Sequence, residues 1–141
     1  MKVFFDTSVL VAAVLEDHPH HQRSFAVFTE AERGVACCAA HSLAEMYSTL
    51  TRLPSKDRLR GDEALWALDS VEERMEVVYL SAREYRLAIN EAAGSGVVGG
   101  RIYDALLAEC ALKARATRIL TWNIAHFQSL RPEIAAKVRT P

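Results

Sequence analysis

Three carboxylates, Asp6, Glu45 and Asp104, are the residues of this chain whose types and settings point most directly to chemistry. Asp6 stands in Val3-Phe4-Phe5-Asp6-Thr7-Ser8, Glu45 in Ser42-Leu43-Ala44-Glu45-Met46-Tyr47, and Asp104 in Gly99-Gly100-Arg101-Ile102-Tyr103-Asp104-Ala105-Leu106. Each reads as a residue where a loop feeds a helix. In an open parallel sheet such loops share one edge, beyond the carboxyl ends of the strands. Acids gathered there repel one another, which favours protonation or a bound cation. A hard divalent metal on oxygen ligands resolves that repulsion, and a centre of that kind serves phosphoryl chemistry. Asn123, in Leu120-Thr121-Trp122-Asn123, follows another strand-like run and reaches the same edge, where its amide oxygen adds a neutral ligand.

Each position also has a plainer explanation. Asp6, followed by Thr7 and Ser8, suits a helix N-cap. Ser42 and Glu45 match the capping box, in which serine and glutamate satisfy helix-end amides reciprocally. Asp104, in the first turn of its helix, gains from the helix dipole. Yet it shares a face with Leu107, Ala108 and Ala111, an otherwise apolar stripe that a solvated cap does not need. Asn123 suits a loop-forming Asx turn. If the topology is parallel α/β, all of these positions lie near one edge, and a joint site explains them better than separate caps do.

The elements that must position these residues are short. Apolar runs at Val3–Phe5, Val35–Ala39, Glu76–Leu80 and Arg118–Leu120 read as buried strands, with Ile134–Arg139 as a last edge strand. Helical spacing predicts helices over Val9–Leu15, from Asp17 or His18 to about Arg33, Leu43–Arg52, Asp62–Arg74, Ser81–Ala93 and Tyr103–Ala114. Pro19 suits a first turn, Gly34 and Pro54 act as stops, and Ser81 with Glu84 forms a cap. Strands alternating with helices predict a three-layer α/β/α sandwich on a mostly parallel central sheet, read as one domain over residues 1–141.

The chain has 141 residues, 50% hydrophobic and 25% charged, with a formal net charge of −1. That length buries roughly 68–70% of the unfolded surface, enough for a real core. A general polyanion binder carries a strong basic excess, so nucleic-acid binding here must rest on a local site. Arg52, Lys56, Arg58, Arg60 and Arg101 are the candidate phosphate contacts, each equally explicable as a solvated charge. The three cysteines, Cys37, Cys38 and Cys110, include an adjacent pair and make a poor disulfide framework. They suit a reduced cytoplasmic setting as small core residues. Neither a signal-peptide core nor a membrane span is legible.

Together these motifs resemble the PIN domain family, and more narrowly its VapC-type ribonuclease toxins of bacterial type II toxin–antitoxin pairs. The resemblance runs through Phe5–Leu10, Leu43–Tyr47, Gly99–Leu106 and Leu120–Phe127, in order. It implies an acidic pocket binding Mg²⁺, with Mn²⁺ as the alternative, and hydrolysis of RNA. Its metal positions carry over to Asp6, Glu45 and Asp104, which would also be catalytic. The fourth, often aspartate in the family, is Asn123 here, which supplies one metal well and a second poorly. Thr7, Ser8 and Thr121 are placed to orient carboxylates or water. A VapB-like antitoxin whose basic side chains suit the pocket is the implied partner. A homodimer is implied too, for which Phe25, Phe28, Trp66 and Leu68 are the nominated contacts. Three other readings compete. A zinc site from His18, His20 and His21 has no structural-zinc spacing. Phosphoaspartyl transfer typically needs a second aspartate two residues after the first, where Ser8 stands. A non-catalytic RNA-binding scaffold gains from the missing fourth acid.

Overall fold

The strand runs place alternate side chains on opposite faces of a sheet, so each needs a layer on both sides. In the computed structural model, which describes residues 1–141, β1 (Lys2–Phe5), β2 (Ala36–Ala39), β3 (Glu76–Val78), β4 (Ala116–Leu120) and β5 (Val138–Arg139) form one sheet in the order β3-β2-β1-β4-β5. Every pairing is parallel. The connecting helices are α1 (Thr7–Val14), α2 (His21–Thr29), α3 (Ala40–Thr51), α4 (Gly61–Arg74), α5 (Ala82–Gly94), α6 (Arg101–Lys113), α7 (Ile124–Gln128) and α8 (Pro132–Ala135).

The alternation divides the core into two. Phe5, Cys38 and Leu120 join Val9 and Leu10 of α1, Met46 and Leu50 of α3, and Ala64 and Val71 of α4. Their neighbours one residue away, Phe4, Cys37 and Ile119, point through the sheet to Ala88 of α5, Leu107 and Ala111 of α6, Phe127 of α7 and Ile134 of α8. This is the α/β/α sandwich that the alternation of runs predicts. The free cysteines belong to these layers, and burial pushes the Cys37 thiol up to about 11, Cys38 to about 12 and Cys110 to about 11. They serve as small apolar residues, as their composition context predicts. No helix is long and apolar enough to cross a membrane.

From β1 the chain moves outward through β2 and β3, then returns to the other side of β1 for β4 and β5. The connections therefore diverge between β1 and β4, and a parallel sheet opens a crevice at that point. Asp6 leaves β1 there, and Thr121, Trp122 and Asn123 leave β4 beside it.

Several boundaries depart from the sequence reading. The second helix covers only His21–Thr29; its expected start is a turn in which the His18 amide donates to Leu15 O (2.9 Å). Gly34, expected to stop that helix, instead takes φ +93° in the turn into β2, a left-handed conformation that glycine adopts without penalty. Helix α3 starts at Ala40 with Ala39 as its cap residue, three positions before the start expected from Ser42. The edge strand shrinks to Val138–Arg139, because Pro132 at a helix start lets α8 form and bury Ile134. Helix α6 begins at Arg101 rather than Tyr103, and α7 is an element the spacing did not predict.

The cap of α5 is as expected. Ser81 Oγ accepts from the Glu84 amide (3.2 Å), and Glu84 Oε1 accepts from the Ser81 amide (2.8 Å). Ser81→Ala is expected to cost about 1 kcal/mol, read as a lower urea midpoint at unchanged m-value.

Candidate active site

Helices and strand ends meet in an open cavity of about 420 Å³ lined by Asp6, Thr7, Ser8, Val11, His18, His20, Glu45, Thr49, Asp104, Leu107, Trp122 and Asn123. All four residues that the sequence nominates as ligands thus face one cavity, supplied by β1, α3, α6 and the segment after β4. A more enclosed cavity of about 270 Å³ lies among α5, α6 and α8. Its one cation, Arg131, is already paired with Glu91, Glu109 and Glu133.

Asp6 is 2% exposed. It sits at the cap position of α1, but its side chain makes no capping hydrogen bond. Instead Oδ2 accepts from Ser8 Oγ and from Thr121 Oγ1, both at 2.7 Å. The two hydroxyls are themselves anchored: Ser8 Oγ accepts from the Trp122 amide (3.0 Å) and Thr121 Oγ1 from the Asn123 amide (2.9 Å). Burial raises the Asp6 pKa; the two hydroxyls, with the nearby Thr7 and Ser8 amides, pull it part of the way back.

The capping box expected at Ser42 and Glu45 does not form, because both residues lie inside α3 once the helix begins at Ala40. Their i,i+3 spacing aims them instead at α1, where Thr7 Oγ1 lies 2.8 Å from Ser42 Oγ and 3.0 Å from Glu45 Oε1. Glu45 also has His41 Nε2 at 3.8 Å. Burial raises the Glu45 pKa, the Thr7 hydroxyl and His41 lower it, and the charges of Asp6 and Asp104 raise it again. Asp104 is raised by burial and by Asp6, against the lowering pull of His126 and Arg101. His126 Nδ1 stands 3.3 Å from Asp104 Oδ2. Asn123 is exposed and precedes α7 without a capping bond from its side chain, so its amide remains available to the cavity.

The donor set is three mutually repelling carboxylates and an amide, all oxygen ligands on one cavity, and that chemistry fits a hard divalent cation. The spacing is not that of a preformed shell: no three His, Cys, Asp or Glu side chains are gathered around one point. The same finding removes the zinc reading. His21 Nδ1 contacts Ala12 O (2.9 Å), and His18 Nδ1 accepts from the His20 amide (3.0 Å), so the histidine run is committed elsewhere.

A model of the PIN domain matches residues 3–128. This chain belongs to the PIN domain family. Its relatives include ribonuclease VapC40 of Mycobacterium tuberculosis, 35% identical over 132 residues that span 92% of this chain and 94% of that one. Ribonuclease VapC27 of the same organism is 37% identical over 111 residues, 79% of this chain and 77% of that one. Among solved structures, the PIN fold superposes on M. tuberculosis VapC20, described as a sarcin-ricin loop cleaving toxin, with a TM-score of 0.68 at 17% identity, covering 84% of this chain and 87% of that chain. A DNA-bound VapBC from Salmonella typhimurium gives 0.67 at 21% identity, covering 99% and 98%.

In this PIN domain several groups escaped sequence reasoning. His126, beside Asp104, is brought there by tertiary packing and carries no spacing signal; His41 stands four residues before Glu45 on α3, a helical spacing that the sequence does carry. None of Arg52, Lys56, Arg58, Arg60 and Arg101 lines the cavity. Arg58 donates to Leu53 O, Arg60 pairs with Asp62, and Arg101 donates to His126 O and Ser129 Oγ. The nominated dimer contacts separate into two kinds. Phe28 and Leu68 lean on the core, whereas Phe25 and Trp66 are 47% and 64% exposed.

Proposed function

We propose that this protein is a metal-dependent endoribonuclease, the toxin of a toxin–antitoxin pair. The observation that carries the reading is one cavity lined by Asp6, Glu45, Asp104 and Asn123, in which the pKa of every acid is raised by burial and the charges of the acids add to the shifts of Glu45 and Asp104. The ribonuclease names of its relatives support the substrate class. Asp6, Glu45 and Asp104 would hold Mg²⁺, or Mn²⁺, with the Asn123 amide completing the ligand set. Such an ion lowers the pKa of a bound water and offsets charge on phosphoryl oxygens.

The chain's own residues hold the acids in place. Ser8 and Thr121 fix one oxygen of Asp6 and leave the other for a ligand. Thr7 orients Glu45 toward the cavity. His126 and Arg101 steady the charge of Asp104. These hydroxyls and imidazoles decide which carboxylate oxygens face the substrate phosphate.

The partner would be a VapB-like protein, in keeping with the VapBC assemblies among the solved neighbours. Its basic side chains would relieve the acids' repulsion. We place the toxin in the cytoplasm, where buried thiols stay reduced, and as a homodimer through the exposed Phe25 and Trp66. A non-catalytic RNA-binding scaffold is the competing reading, favoured by the ungathered carboxylates and by Asn123.

Labelled RNA incubated with the purified protein decides between them. Cleavage is expected with Mg²⁺ or Mn²⁺ and none in EDTA. Undiminished cleavage in EDTA removes the metal; tight binding with no turnover in either ion supports the scaffold.

A further inference from the structure

Two stacked aromatic pairs flank the acids. The His20 and Trp122 rings lie 3.8 Å apart at 8°, and the His41 and Tyr103 rings 5.3 Å apart at 10°. Their places follow from the sheet. Strands β2, β1 and β4 are neighbours; His41 follows β2, Asp6 follows β1 and Trp122 follows β4. One pair therefore stands on each side of Asp6 along the carboxyl edge. His20 and Trp122 line the acidic cavity itself. His41 and Tyr103 stand just outside it, His41 Nε2 3.8 Å from Glu45 Oε1 and Tyr103 next in the chain to Asp104.

Core packing does not account for these rings. His20, His41 and Tyr103 belong to neither hydrophobic cluster. Tyr103 is 50% exposed, and His20 is exposed as well. Only Trp122 leans on the core, and it is pinned: its indole N–H donates to Ser24 Oγ (2.8 Å), and the Arg23 guanidinium lies 5.7 Å from its ring centre. A half-buried indole fixed in this way, with the exposed His20 ring stacked on it, offers a flat surface suited to a planar ligand.

Electrostatics point the same way. The net charge is −1, and the cavity holds three acids with no lysine or arginine among its lining residues. The cavity's own side chains therefore supply no cationic contact to phosphate. Stacking is indifferent to that charge, and single strands are commonly held on aromatic side chains, histidine included. Bases in a duplex are already stacked and closed to such rings.

We infer that His20–Trp122 and His41–Tyr103 are stacking platforms for the bases on either side of the scissile phosphate; this rests on the ribonuclease reading proposed above. The platforms position the strand and take no part in the bond cleavage.

Two measurements on the full chain test this. In a Trp66→Phe background, Trp122 is the only tryptophan. Its fluorescence, read in EDTA, is expected to be quenched by a short single-stranded oligoribonucleotide. The same sequence in duplex, or an abasic ribose-phosphate strand of equal length, should leave it unchanged. Secondly, His20→Ala with Tyr103→Ala should raise KM for single-stranded RNA about tenfold with kcat retained, since one ring of each pair is lost and the other remains. Both positions are exposed, and an unchanged melting temperature verifies the fold. Equal quenching by the abasic strand, or an unchanged KM in the double variant, overturns the platforms. Cleavage with unchanged KM leaves the ribonuclease standing without them. Base-dependent quenching without any cleavage leaves the platforms and removes the ribonuclease.

Discussion

Asp104→Asn is expected to abolish metal-stimulated RNA cleavage and, in the same protein without metal, to raise the melting temperature. The loss of activity follows from ligand chemistry. Removing a group that merely orients a metal ligand costs about 10–100-fold, so replacing a ligand carboxylate by a neutral amide should cost at least about 100-fold. The gain in stability follows from charge. Asp104 and Asp6 each raise the Glu45 pKa, and Asp6 raises that of Asp104. Asparagine keeps the shape and removes one of three repelling charges.

The pH dependence gives the sign independently. Asp6, Glu45 and Asp104 all bind protons more tightly in the folded chain than in the unfolded one. Between the ordinary carboxylate values and the raised ones, the native state holds more protons, so stability falls as pH rises through that window. Glu109 is raised too, but the substitution leaves it unchanged. Glu84 works oppositely: the bond from Lys113 lowers it to about 2, so its contribution is lost only as pH falls toward that value. Melting curves from mildly acidic to neutral pH should therefore decline less for Asp104→Asn than for the wild type. Saturating Mg²⁺ should stabilise the wild type and much less the variant, by mass action on the folded state. Equal slopes and equal Mg²⁺ responses would remove Asp104 from the charged site.

Why these acids share a cavity was readable from the sequence, and why they do not form a finished shell was not. Asp6, Glu45 and Asp104 follow apolar runs or open helices, and a parallel sheet sends all such positions to one edge. That inference needs only the alternation of elements. The sandwich was readable for the same reason, since Phe4 and Phe5, or Cys37 and Cys38, must point opposite ways. The rest depends on tertiary facts. Ser42 and Glu45 carry the spacing of a capping box, and only the true start of α3 at Ala40 redirects them to Thr7. Local propensity favoured a cap; packing of α3 on α1 overrode it. His126 reaches Asp104 across the fold, with no periodicity to announce it, whereas His41 lies one turn before Glu45 on α3, a spacing that is local. The histidines near Pro19 read as metal ligands or a helix start, because nothing local reveals that His20 stacks on a tryptophan 102 positions further along the chain.

Thr121→Val should damage both stability and the acid limb of the activity profile, because one hydroxyl serves two partners at the strand end. Thr121 is fully buried. Its Oγ1 donates to Asp6 Oδ2 at 2.7 Å and accepts from the Asn123 amide at 2.9 Å. Valine has nearly the same shape, so packing is preserved while both bonds vanish. Leaving a buried polar group unpaired costs about 1–3 kcal/mol, and more where the partner is charged. A lower urea midpoint is therefore expected. Asp6 would keep the Ser8 hydroxyl and the Thr7 and Ser8 amides but lose the Thr121 hydroxyl against the effect of burial, so its pKa must climb further. A protonated Asp6 is a poor metal ligand; the rise in activity with pH should then begin at higher pH than in the wild type. Excess Mg²⁺ should draw it partly back, because the ion competes with the proton. Thr121→Ser restores the hydroxyl without the methyl group and should recover the wild-type limb, even though it leaves a small cavity behind. If Val and Ser behave alike, the Thr121 hydroxyl has no functional weight, and the ordering of the first acid must come from the Ser8 hydroxyl and the Thr7 and Ser8 amides.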